Sequence, residues 1–248
     1  MPRVARQRRH TLYFLRHARR VAPVFLDTDV DFTAVATHRE RAAREGVRYS
    51  WLSYVLRSAT GVLQRHPDAN AALGGGVVPK VARFGAVRPK IALDRTVSGQ
   101  RVVLSAVLPD LRGADLDAIQ RAVTRVRDTP VDELPEVRGT LMLHRLPALL
   151  GRTAFRAGMA ALDKRPQLMG TLAVSSLGHR AVNGFHAVGG TAITLNLGQV
   201  KPTPVVHDGE VVVAPVMRLN LCFDHRVIDG AEAADVLDEI KTDLEKTS

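Results

Sequence analysis

The sequence predicts an α+β protein, a mixed β-sheet with flanking helices, and three observations lead there. From Gly170 onward the chain reads as strands and turns, while helical patterns precede that stretch and close the chain. The regular β-α alternation of a doubly wound nucleotide fold does not run through it. At 248 residues and 46% hydrophobic content the chain can bury one substantial core, so one main domain is expected.

Residues 1–20 hold much of the net charge of +10 and are read as a basic N-terminal arm, with residues 21–248 as the folded domain. The arm is either mobile and solvated or a point of attraction for anionic cofactors, acidic proteins or membrane surfaces. Residues 49–64 place Trp51, Leu52, Val55, Leu56, Val62 and Leu63 at helical spacing before His66 and Pro67, which predicts a helix with a buried face. Gly74, Gly75 and Gly76 lack the spacing and the Lys-Ser/Thr of a phosphate loop and read as a turn. Strands are expected over 90–94 and 100–108, and a helix over 115–128.

Residues 141–162 suit an amphipathic helix broken near Pro147 and Gly151, which packs on its own domain or touches a membrane or a greasy substrate. Further strands are expected over 171–175, 192–197, 211–213 and 217–223. Asp208-Gly209, set between a Pro-containing segment and a β-branched run, signals a hairpin. A last helix over 231–246 turns Ala233, Val236, Leu237, Ile240 and Leu244 to one side.

Several chemistries are disfavoured. Cys222 is the only cysteine, so no internal disulfide or cysteine-rich zinc site forms, and its apolar strand suits a packed thiol rather than a nucleophile. The histidines show no His-Glu-x-x-His spacing, and no metal is expected. With 4% aromatic residues and no zinc-finger or RNA-recognition signature, nucleic acid is not an expected partner despite the basic charge. A transmembrane-length apolar run and a secretory h-region are not seen, which gives a cytoplasmic expectation.

The most informative stretch is Phe223-Asp224-His225-Arg226-Val227-Ile228-Asp229-Gly230, a polar cluster between an apolar strand and a helix. Strand ends are rigid mounts for reactive groups. Imidazole suits proton removal near neutrality, which makes His225 a candidate general base. Asp229-Gly230-Ala231-Glu232 is also a capping-box-like helix start.

This cluster resembles the Asp-His-Arg-x-x-Asp-Gly signature of the catalytic domain of the dihydrolipoamide acyltransferases of 2-oxoacid dehydrogenase complexes, and more loosely that of chloramphenicol acetyltransferase. Residues 66–71 resemble the family's Pro-x-x-Asn-Ala segment, residues 91–94 with 102–108 its paired central strands, residues 170–178 its Gly-Thr-Phe-x-x-Ser-Asn-Leu-Gly segment, and residues 204–217 the hairpin before the histidine. The likeness runs from about Val24 to Glu245.

The resemblance implies a chloramphenicol acetyltransferase-like, trimer-forming fold and acyl transfer between a thioester and an acceptor thiol or hydroxyl. Coenzyme A or acyl-coenzyme A would be a substrate, His225 the base and the Ser175 hydroxyl the oxyanion donor. Asp229 would orient the site through an arginine pair. His179 and His186, flanking the turn of residues 183–190, border the substrate channel or sit in surface loops, and Arg226 serves the site or the structure. Implied partners are further copies of the chain in a homotrimer and a separate lipoylated protein or dehydrogenase component, because no lipoyl or subunit-binding segment is read here. Two departures stand out: residues 138–167 are longer than the family's segment, and Leu104-Ser105-Ala106 replaces its Val-Pro-Val. A scaffold role in a 2-oxoacid dehydrogenase-like assembly and an inactive interaction protein remain as alternatives.

Overall fold

The computed structural model describes residues 4–75 and 77–247. Arg3 of the basic arm and Gly76 of the glycine turn lie outside them. Six strands form one mixed sheet in the order β1-β8-β7-β6-β4-β5, where β1 is Pro23–Asp31, β4 Pro89–Val97, β5 Gln100–Val107, β6 Leu172–Ser176, β7 Ile193–His207 and β8 Glu210–Asp224. β6 runs parallel to both β4 and β7, and the other neighbours are antiparallel. A separate hairpin joins β2, Ala71–Gly74, to β3, Lys80–Arg83, and encloses the predicted glycine turn.

Alternation along the strands divides the sheet into two faces. In one register row Leu26, Leu221, Leu195, Val174, Ile91 and Ala106 lie side by side. This apolar face is buried under α3, Trp51–Arg65, α4, Leu116–Asp128, and α8, Gly230–Glu245, in one continuous core. Ala233, Val236, Leu237, Ile240 and Leu244 of α8 are all buried, as their spacing predicts. Burying each of the larger side chains stabilises the fold by about 1.5–3 kcal/mol. Ser50 and Asp115 cap α3 and α4, accepting from the Ser53 and Ala118 amides at 3.2 and 2.7 Å.

The opposite face carries a polar row one residue along: Asp27, Asn220, Asn196 and Ser175. The Asp208-Gly209 turn has φ of +50° and +85°, the left-handed pair that a two-residue hairpin requires. Beyond Asp31 on one side and Leu197 on the other, neither β1 nor β6 continues, so the end of the β7–β8 hairpin is a two-stranded ribbon. Val206, Val211 and Val213 on it are 69–73% exposed.

Three expectations change. β1 and the following α2, Thr33–Arg44, come from a stretch for which no element was expected. Residues 9–18 of the supposed solvated arm form helix α1, Arg9–Ala18, docked on α5, Arg138–Arg145, and α6, Ala148–Ala160. Tyr13 is buried there and donates to the Ala148 carbonyl at 3.0 Å, and Arg9 donates to that of Leu146. Residues 141–162 break at Leu146-Pro147 as expected but not at Gly151, which lies within α6 against the Tyr13 ring. A short α7, Arg165–Leu168, then leads into β6 through Gly170, whose φ is +68° and where a Cβ would sit 2.6 Å from the Arg88 carbonyl oxygen.

Candidate active site

Strand β8 ends at Asp224, and the chain turns through 225–229 into α8. The turn is fastened at both ends: the His225 amide donates to the Ala22 carbonyl at 2.9 Å, and Val227 N to that of Asp224 at 2.8 Å. Asp224 is buried, accepts two hydrogen bonds from the Arg226 guanidinium at 2.6 and 2.8 Å, and also accepts from the Arg226 and Ala22 amides. Burial pushes its carboxyl up, but these bonds and the Arg226 charge hold it below the ordinary carboxylate range.

His225 stands out of this anchored turn with its side chain 47% exposed, and its Nδ1 lies 3.5 Å from Asp229 Oδ1. The Phe223 ring lies beside it at 5.4 Å. The turn thus brings His225 and Asp229 together.

Both sequence readings of Asp229 need correction. It occupies the N-cap position of α8, yet its side chain makes no capping hydrogen bond, because the carboxylate turns toward His225. Among the described residues its only charged partner is His225, and the arginine pair of this loop belongs to Asp224. Arg226 is clamped on Asp224 and helps hold the turn.

Ser175 lies elsewhere. Half-buried on β6, it lines a cavity of about 810 Å³ bounded by β4, β5 and the segment 176–180, with His179, Arg180, Arg101, Asp94 and Trp51 among its walls. Asp94 is bound by Arg101 at 2.5 Å, so a cation-rich mouth holds one already paired carboxylate. His225 is not part of that lining. Ser175 pairs with Asn196, which pairs with Asn220, and His225 follows Asn220 by five residues. Five strand residues and two strand spacings put the two about 19 Å apart. One chain does not unite them.

His179 stands at the cavity and is exposed, whereas exposed His186 stacks edge-on against Phe25 at 5.3 Å. Cys222 is buried, and burial followed by the Asp224 charge pushes its thiol up to about 11, which fits the expected inert core thiol.

The sequence reading passed over the polar row itself. Asn196 and Asn220 are buried, and their Oδ1 atoms accept no hydrogen bond from the protein. Lys90 is buried on the same face, donates to the Gly189 carbonyl at 2.6 Å, and is lowered to about 8 by burial. The sequence carried no signal for it, because Leu195-Asn196-Leu197 and Leu219-Asn220-Leu221 alternate as a strand with one wet face does, and the burial of the asparagines comes from the tertiary structure.

Residues 152–248 match the family model of the 2-oxoacid dehydrogenases acyltransferase catalytic domain. The dihydrolipoyllysine-residue acetyltransferase component of the pyruvate dehydrogenase complex of Bacillus subtilis is 27% identical over 232 residues, 91% of this chain and 45% of that protein. The chain spans about half the length of the curated relatives it matches. Among solved structures, the cubic core of the pyruvate dehydrogenase multienzyme complex aligns over 99% of this chain and 91% of its own, at TM-score 0.73 and 20% identity. The dihydrolipoamide acetyltransferase of Azotobacter vinelandii, studied for the roles of a serine, a histidine and an asparagine in its catalytic mechanism, aligns over 99% and 91% at 0.70 and 22%. Chloramphenicol acetyltransferase aligns over 96% and 94% at 0.51 and 14%. The α+β fold class expected from the sequence is the one these structures share.

Proposed function

We propose that this chain, whose residues 152–248 match the catalytic-domain family of the 2-oxoacid dehydrogenase acyltransferases, transfers an acyl group between coenzyme A and an acceptor thiol or hydroxyl. The acceptor in the simplest case is dihydrolipoamide on a separate protein. The observation that carries this reading is the anchored turn: buried Asp224 and Arg226 fix the loop from which His225 projects, with Asp229 3.5 Å from Nδ1.

His225 takes the proton of the attacking thiol, and the thiolate adds to the thioester carbonyl. The Ser175 hydroxyl donates to the oxyanion of the tetrahedral intermediate. Collapse breaks the old carbon–sulfur bond, and the departing thiolate takes the proton back from His225. Asp229 lies on the Nδ1 side and orients the ring, leaving Nε2 for the thiol.

Because Ser175 and His225 are about 19 Å apart within a chain, a working site draws them from different copies. We take the assembly to be a homotrimer, in which each interface is heterologous and the ring closes. The exposed valines of the β7–β8 ribbon favour the same conclusion, since an isolated two-stranded ribbon is marginal in water without a partner. The catalytic unit is residues 21–248, with α1 as its cover, and a cytoplasmic setting accords with a lone buried cysteine.

A second reading keeps the same chemistry but makes the chain a core subunit of a 2-oxoacid dehydrogenase-like complex. The likeness to the B. subtilis component favours it. The test is thiol release from a panel of acyl-coenzyme A compounds with free dihydrolipoamide, small alcohols and a lipoylated protein as acceptors, comparing wild type with His225→Ala. Turnover that falls about a hundredfold or more in the folded variant is expected; equal turnover in both contradicts the mechanism.

A further inference from the structure

The helical layer made by α1, α5 and α6 touches the Ser175 cavity only through Thr11 of α1 and Arg8 just before it, and the surface chemistry of its outer side is unlike the rest of the molecule. Residues 4–26 and 138–162, which contain these helices, hold ten arginines and no aspartate or glutamate. Each of the three helices packs against the other two. Their inner sides are satisfied: Tyr13 is buried against Gly151, and buried His144 lies 2.8 Å from His10.

The outer sides are basic and apolar together. On α1 the exposed positions Leu12, Leu15, Arg16 and Arg19 follow helical spacing, so leucine and arginine share one face. On α5 the same holds for Arg138, Met142 and Arg145. On α6 Leu149 and Leu150 are 70% and 55% exposed, followed by exposed Arg152 and Arg156.

We propose that this layer is a docking surface for an anionic lipid membrane. An interface of that kind takes both components at once, the leucine tips entering the acyl boundary while guanidinium groups meet lipid phosphates. Charge complementarity selects an anionic partner, and the five apolar chains distributed over outward-facing helix ridges select a soft surface that moulds to them. An acidic protein would balance the arginines but would need a matched pocket for each leucine. A two-fold contact with a second copy would set the same arginines against one another, and a heterologous contact is told apart by the assembly mass in the test below. No described helix is long and apolar enough to cross a bilayer, so the contact is interfacial.

The test is sedimentation of the full chain with phosphatidylcholine vesicles, with and without phosphatidylglycerol, at low and high salt. Binding is expected only to the anionic vesicles and is lost near 1 M salt, where the Debye length is about 3 Å. Arg152→Gln and Arg156→Gln each lower binding about fivefold. Leu149→Ser with Leu150→Ser lowers it about tenfold or more, with thermal melting unchanged. Equal binding to both vesicle types, or none to either, overturns the proposal. So does binding that polyglutamate abolishes and the leucine variants leave untouched, which identifies an acidic protein partner. A smaller assembly mass for the leucine variants without vesicles overturns it in favour of a contact between copies.

Discussion

Asp229 Oδ1 sits 3.5 Å from His225 Nδ1, and the same carboxylate leaves the helix end it occupies uncapped. Position and bonding are thus separable at this residue, and the separation can be measured. Asp115→Ala removes a real cap from α4 and is expected to cost about 1 kcal/mol. Asp229→Ala changes stability by less than about 0.5 kcal/mol. It still lowers kcat about tenfold, the weight of one orienting contact of ~1.4 kcal/mol. Chemical denaturation of both variants with steady-state rates checks the pair; a destabilised Asp229 variant with normal kcat reverses the assignment.

Asp224 carries the structural load of the same loop. Asp224→Ala leaves Arg226 without its partner and two amides unsatisfied, and a loss of about 2 kcal/mol is expected, less than for a fully buried pair because Arg226 is partly exposed. Its folded-state carboxyl lies below the unfolded value of about 3.9. The stability it contributes is therefore full above that value and is lost as pH falls through the depressed folded one. Denaturant midpoints measured from neutral pH into the acid range show this slope in wild type and a shallower one in Asp224→Ala.

Acid also loosens the docking of α1. Burial, and then the charges of Arg165, Arg20, Lys90 and Arg226, lower His17 to about 4, and burial lowers His144 to about 4. His10 is lowered too, first by burial. These rings are neutral in the fold and take protons in the unfolded chain from about 6.5 downward. The folded state is thus favoured above that pH and loses ground as pH falls toward about 4, with no further change from His17 and His144 below it. Protection factors of residues 9–18, taken relative to the intrinsic exchange rate at each pH, are expected to fall in that window before those of the core helices; protection of α1 that is independent of pH contradicts this.

Much of the frame was legible because local chemistry and global fold agree. Asp208-Gly209 needs left-handed φ at both positions and has it, and the leucine alternation of β7 and β8 states which face is the core. β1 escaped notice because Asp27, Thr28 and Asp29 interrupt an edge strand whose outward residues are exposed, and α2 because only Val35 and Ala42 are buried. α1 was hidden by its own charge, since arginines on its outer side mask Tyr13 on the inner. Within the site, the sequence singled out His225 and Asp229 separately, and their contact emerged only with the turn that joins β8 to α8. The sequence could not show which way the Asp229 carboxylate turns, and it could not show the distance to Ser175, which depends on the strand order β6-β7-β8.

The central claim is that Ser175 and His225 cooperate across an interface between copies. Ser175→Ala alone should lower kcat about 10²–10³-fold, and His225→Ala about 10²–10⁴-fold. The decisive measurement is acyl-transfer activity of the two inactive variants after they are unfolded and refolded together in equal amounts. If the site is shared, random mixing in a ring of heterologous interfaces restores both groups in about a quarter of the sites, and activity recovers to about that fraction of wild type. If the mixture stays as inactive as its parents while assembling to the wild-type mass, the two residues do not meet between copies and the account fails.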